Sequence, residues 1–279
     1  VSLALHLTSA LIVFRLVQGL TDSPWGALAA AAVFALHPVQ VESVAWISAV
    51  NDPLAGLCVL SGLDSFRRWR DAGSAGRPLA AAACLALGLL AKESALALVP
   101  LALALDLARR TARPFHRAYL PFAAVLLAWW ALRVAVFGGI YGGFDQVSSH
   151  LFVPLARQLT LRVELLGGAL QLLAWPAKLN LFREVRPEIP SSDPALVRAW
   201  VALGLLALGV AGAMWTRRRG LLLALLVLPA ALAPALISFD SIGRFPLSER
   251  YLYVAVLAPA LALGYLASGP AVHLPRPVL

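Results

Sequence analysis

The chain has 279 residues, of which 61% are hydrophobic and 13% charged, about half the roughly one-quarter charged share of soluble domains. Its formal net charge of +9 is carried by arginines clustered between apolar stretches, not spread over one wet basic face. That pattern excludes a soluble globular domain, argues against a nucleic-acid partner, and fits a polytopic membrane protein whose cytoplasmic loops keep positive charge.

Apolar runs between polar breaks predict about nine spans. They cover Val1 to Leu20, Trp25 to Leu36, Leu54 to Phe66, Leu79 to Ala91, Ala95 to Leu107, Ala118 to Phe137, Ala195 to Trp215, Leu221 to Ile237 and Leu252 to Leu266. The stretch Leu79 to Leu107 is interrupted by Lys92-Glu93-Ser94 and reads either as one overlong helix or as a hairpin of two. Arg67, Arg68, Arg70 and Arg77 on one side of it, and Arg109, Arg110, Arg113 and Arg117 on the other, must share the cytoplasmic face, which requires the hairpin. Arg217, Arg218 and Arg219 are cytoplasmic by the same rule, so Leu36 to Asn51, the Lys92 turn, Gly138 to Pro194 and Ser238 to Arg250 are external. Leu155 to Trp175 then cannot cross once, and is expected to be an interfacial or re-entrant helix.

Cys58 and Cys84 lie in apolar segments and read as small hydrophobes. The sequence from Val1 shows no basic n-region with a cleavage site, so no signal peptide is visible, no internal repeat appears, and the chain is expected to form a single transmembrane domain, 1–279.

Four constellations stand out on the external side. His37-Pro38 ends a span and is followed by Glu42, Trp46 and Asp52; a carboxylate at membrane depth is costly, so Glu42 and Asp52 are site candidates, although His37 and Glu42 also suit an ordinary helix end. Lys92-Glu93 reads either as a locally neutral pair or as an ammonium offered to a phosphate. Arg133 either snorkels to the headgroups or clamps a phosphate with two parallel N–H groups. In the run from Phe239 to Tyr253, an aromatic belt accounts for Tyr251 and Tyr253 but not for Glu249-Arg250.

The ordered set "ALHPVQVESVAWIS" with its following Asp, "LLAKESALALVPLALALD", "LAWPAKLNLF" and "SERYLY" resembles the membrane region of the transmembrane-and-TPR protein O-mannosyltransferases and their bacterial relatives, members of the GT-C class of polyprenyl-phosphate-sugar glycosyltransferases. The resemblance implies an all-α transmembrane bundle. In it a mannose-like sugar passes from a polyprenyl phosphate to an acceptor hydroxyl, on protein or glycan, at the external face of a bacterial inner membrane. Carried over by position, Glu42 and Asp52 are the candidate catalytic carboxylates, and His37, Lys92, Arg133, Glu249, Arg250 and Tyr253 the candidate substrate contacts. The family's principal acidic loop and first span would precede Val1, and no TPR array follows. Departures occur at Val50-Asn51, where the family is basic, and at Val254 to Leu257, where it is small and polar. No metal-ligand set is visible, and a divalent cofactor is left open. Two rival readings are a transporter or flippase of a lipid-linked sugar and a non-catalytic membrane remnant.

Overall fold

The computed structural model describes residues 1–73, 76–109, 115–139, 154–177, 179–180, 193–237 and 248–269. Arg110, Arg113, Lys178 and most of the predicted external loops after Gly139, after Asn180 and after Ile237 lie outside them. Among the described residues all regular structure is helical. The helices are α1 (Ser2–Thr21), α2 (Pro24–Leu36), α3 (Gln40–Ala45), α4 (Asn51–Asp71), α5 (Leu79–Ala91) and α6 (Leu98–Arg109). They continue with α7 (Phe115–Phe137), α8 (Leu155–Ala174), α9 (Asp193–Trp215), α10 (Arg219–Ile237) and α11 (Leu257–Ala267). Short 3-10 turns lie at Ile47–Ala49, Glu93–Ala97 and Glu249–Leu252.

Local chemistry explains the breaks. Asp22 closes α1 in the left-handed region at φ 53°, and Ser23 then caps α2 by accepting the Gly26 N–H at 3.1 Å, with Pro24 at the first helical position. His37 ends α2 in an extended conformation before Pro38, as the restriction on a pre-proline residue requires. Lys92 is extended as well (φ −165°, ψ 146°), so Leu79 to Leu107 is two helices joined through a 3-10 turn, not one overlong helix.

Each predicted span coincides with a helix, but four are long and apolar enough to cross a bilayer by length and composition: Ser2–Thr21, Phe115–Phe137, Leu196–Trp215 and Arg219–Leu236. Helices α2, α5 and α11 are apolar but have 13, 13 and 11 residues, short of the roughly 20 needed for a straight crossing. α4 has 21 residues but carries Asp52, Asp64, Arg67, Arg68, Arg70 and Asp71. The segment expected to be interfacial is α8, 20 residues long with Arg157, Arg162 and Glu164 along it.

The core is formed mainly by α1, α2, α4, α5, α6, α10 and α11, joined by Phe122 of α7 and Ala169 of α8, with Leu16, Phe34, Leu60, Phe66, Leu85, Leu101 and Leu257 essentially inaccessible. Small residues set the closest approaches. A methyl added at Gly88 would stand 2.8 Å from the Ala95 Cβ, and one at Gly264 would stand 3.0 Å from the Gly26 carbonyl. Such contacts suit a bilayer, where lipid tails remove the hydrophobic drive between helices and close packing must replace it.

The arginines near the α4 and α6 C-termini are not loop residues. Arg70 pairs with Asp106, which also accepts the Tyr119 hydroxyl at 2.9 Å, and Arg109 pairs with Asp71 at 2.6 Å. The last turns of α4 and α6 are thus joined by two ion pairs of opposite sense.

Candidate functional site

At the other end of α4, the chain brings together groups from four places. Asp52 sits in the first turn of α4 and Lys92 at the break after α5, and the two form an ion pair. Glu42 comes from α3, and Arg250 from the 3-10 turn Glu249–Leu252. The Arg250 backbone N–H donates to Glu42 Oε2 at 3.1 Å, and its guanidinium Nε stands 3.8 Å from Glu42 Oε1. Tyr251 lies between the two pairs. Its ring takes the Lys92 ammonium at 4.9 Å and the Arg250 guanidinium at 5.4 Å, while Arg250 also lies 5.1 Å from the Trp46 ring. Placing cations over aromatic faces keeps them attractive to an anion without saturating their N–H groups.

Glu42 is 3% exposed, and burial, which disfavours the charged form, pushes its carboxyl above the ordinary glutamate range. The Arg250 N–H and guanidinium oppose that shift, and Glu249 adds like-charge repulsion to it. Three buried polar atoms of the cluster have no hydrogen-bond partner among the described residues: Glu42 Oε1, Asp52 Oδ2 and Arg250 Nε. Two acceptors and one donor left open at one point form a mixed set, suited to a molecule carrying both hydroxyl and phosphate groups.

The remaining predicted residues surround this cluster or sit apart from it. His37 accepts the Val39 N–H on Nδ1 at 3.3 Å, which leaves its Nε2 to donate to the Leu173 carbonyl at 3.1 Å, so it ties the end of α2 to α8. Glu249 accepts the Asn180 backbone N–H at 2.5 Å. Arg133, on α7, pairs at 2.6 Å with Glu93, the sequence neighbour of Lys92, and stacks over Trp129 and Phe137. The Tyr253 hydroxyl meets His6 Nδ1 at 3.1 Å, and His6 Nε2 faces the Ala35 carbonyl at 3.1 Å. Sequence reasoning assigned Tyr251 to a membrane belt and overlooked His6; the position of Tyr251 directly after Glu249-Arg250 was the available signal. No group of three His, Cys, Asp or Glu side chains that would hold a metal occurs among the described residues.

Beside the cluster lies a shallow apolar cleft between α8, α10 and the turn, lined by Leu165, Ala169, Leu232, Ala235, Leu236, Tyr251 and Leu252. Tyr251 is common to both. The fold and site therefore define a helical membrane protein with a buried, mixed-charge cluster opening on an apolar groove. Over 98 residues, 33% of its length, the chain is 39% identical to the protein O-mannosyl-transferase Tmtc2 of Drosophila melanogaster, and the match covers 10% of that relative. No family model matches the chain, and no solved structure matches it.

Proposed function

We propose that this chain is the membrane part of a GT-C glycosyltransferase that moves a mannose-like sugar from a polyprenyl phosphate to an acceptor hydroxyl, on protein or glycan, at the external face of a bacterial inner membrane. In this reading the helices make about nine crossings, and the polar cluster faces outward. The observation that carries it is the placement of Lys92, Arg250, Glu42 and Asp52 around Tyr251, with open acceptors and an open donor, against an apolar cleft. A polyprenyl phosphate has the same two parts, an anionic head and a hydrocarbon tail. The partial similarity to a protein O-mannosyl-transferase supports sugar transfer over other uses of such a site.

The chemistry follows from the groups. The acceptor oxygen forms a bond to the anomeric carbon as the bond from that carbon to the phosphate oxygen breaks. The polyprenyl phosphate leaves with the electron pair, and Lys92 and Arg250 stabilise the charge that develops on it. The hydroxyl proton passes to a carboxylate. Glu42 has an open Oε1 and a raised proton affinity, which suit it to that role; Asp52, held by Lys92, orients the acceptor. His37 and Glu249 hold α8 and Asn180 around the cluster, and Arg133 contacts the donor's headgroup region.

The test is transfer of labelled mannose from polyprenyl-phosphate mannose in membranes containing the natural polypeptide that carries this chain. Arg250→Ala and Lys92→Ala are expected to lower transfer at least roughly a hundredfold, the size seen when a charge-stabilising donor is removed. Arg250→Lys, which keeps the charge and loses the fork, retains part of it. Unchanged transfer in both alanine variants, at equal protein levels, overturns the reading.

A further inference from the structure

A second charged cluster lies at the opposite end of the bundle, in the groove between α1 and α4. Asp64 is buried, its side chain 2% exposed, and three guanidiniums converge on its carboxylate. Arg67 donates to Oδ1 from Nη2 at 2.8 Å and from Nε at 3.1 Å, while Arg68 Nε lies 3.2 Å and Arg15 Nη2 3.9 Å from Oδ2. The seat for Arg67 is built into α1. A methyl at Gly19 would stand 2.3 Å from an Arg67 nitrogen, so a larger residue there would push the guanidinium out of its present position.

The cluster is not neutral. Asp71 is shared between Arg67, at 2.7 Å, and Arg109, at 2.6 Å. Among the described residues, the three guanidiniums of Arg15, Arg67 and Arg68 thus face Asp64 and an Asp71 that is shared with Arg109, so positive charge is in excess around Asp64. Arg70 is matched by Asp106 and adds nothing. Arg67 is 10% exposed, but Arg15 and Arg68 are 55% and 53% exposed, on side chains from two different helices. Arg15 lies six residues before the end of α1 and Asp64 seven before the end of α4, each roughly 10 Å in at 1.5 Å per residue. Arg68 also donates from Nη2 to the Ser65 hydroxyl at 3.4 Å, but the Arg15 and Arg68 side chains remain more than half exposed. Two such guanidiniums at that depth, beside an excess of positive charge, match a phosphate oxyanion at the lipid headgroup level.

We infer that the Arg15–Arg67–Arg68 cluster on Asp64 binds the phosphodiester of an anionic lipid in the leaflet opposite the candidate transfer site. This inference does not depend on sugar transfer.

The probe is dioleoyl-phosphatidylglycerol, with dioleoyl-phosphatidylcholine as the zwitterionic control, added to the detergent-purified protein and read by native mass spectrometry. Arg15→Gln/Arg68→Gln is expected to bind the anionic lipid roughly twenty-five-fold more weakly, since each arginine in contact with the headgroup contributes on the order of a factor of five. Each single variant gives part of the loss. Both side chains are more than half exposed, so folding is retained, and an unchanged thermal transition verifies it. Arg77→Gln/Arg117→Gln removes the same charge from two exposed positions outside the cluster and is expected to bind as the wild type does. Equal loss in the two double variants overturns the site in favour of diffuse surface charge. Displacement of the lipid by millimolar inorganic phosphate overturns the lipid assignment in favour of a soluble anion.

Discussion

Tyr251 and Tyr253 are two residues apart, yet their rings do different things. Tyr251 takes two cations on its face, while Tyr253 is 2% exposed and gives its hydroxyl to His6. Tyr251→Leu removes interactions worth roughly 1–2 kcal/mol where cations are partly desolvated, and is expected to raise the donor KM roughly fivefold to thirtyfold with little change in thermal stability. Tyr253→Phe leaves the buried His6 Nδ1 without a donor. It is expected to lower stability by about 1–3 kcal/mol while KM stays near the wild-type value, and differential scanning fluorimetry together with a transfer assay separates the two. Glu42 predicts a pH effect. Its folded-state proton affinity is raised by burial, so its stabilising contribution is complete below its unfolded value, about pH 4.3, and is lost as pH rises through the folded value. Glu42→Gln does not titrate. The melting temperature of the variant minus that of the wild type therefore becomes more positive from pH 4 to pH 7; a difference that stays constant or falls removes the assignment.

The hairpin formed by α5 and α6 packs along α4 and is tied to it at both ends. Lys92 meets Asp52 at one end, and Arg70 with Asp71 meets Asp106 and Arg109 at the other. The arginines were legible in the sequence as a topological signal, and their acidic partners were not. Asp64 stands at local helical spacing from Arg67 and Arg68, but nothing in local spacing shows that Arg70 meets Asp106 or that Asp71 meets Arg109, 36 and 38 positions apart. The two readings are compatible, because orientation on insertion follows Lys and Arg and responds little to Asp and Glu. The far pair makes a sharp prediction. Arg70 is buried with Nε and Nη1 unpaired, so Asp106→Ala would leave a buried charge without its counter-ion, at a cost of about 3–5 kcal/mol. Replacing the pair together, as Arg70→Met/Asp106→Leu, is expected to recover most of that loss, because a packed apolar pair avoids desolvation. A double variant as unstable as Asp106→Ala in thermal unfolding would show that the pair is not acting as a unit.

Over the whole molecule, what the sequence disclosed was the part governed by local rules. The helices overlap the apolar runs, Pro38 and Lys92 mark breaks, and the polar groups of the candidate site were picked out because charge is expensive in hydrocarbon. What it withheld depends on packing at a distance: that Glu42 reaches Arg250 across 208 positions, that Tyr251 and not Tyr253 lies among the charges, and that α4 carries an ion network along its second half. The proposed function requires one arrangement across the bilayer. Ile47 is 88% exposed beside the Glu42 cluster, Trp215 is 89% exposed at the end of α9, and Arg77 is exposed before α5. If the candidate site faces outward, a cysteine placed at Ile47 in a Cys58→Ala/Cys84→Ala background reacts with an impermeant maleimide on intact cells. Cysteines at Arg77 and Trp215 react only after permeabilisation. The same labelling resolves the short helices, since α5 and α6 are 13 and 12 residues long and cross as a pair only if the Lys92 break reaches the outer surface. A cysteine at Ser94 is then labelled from outside together with Ile47. Labelling of Arg77 from outside, or of Ser94 only from inside, would invert or break this arrangement and with it the external site.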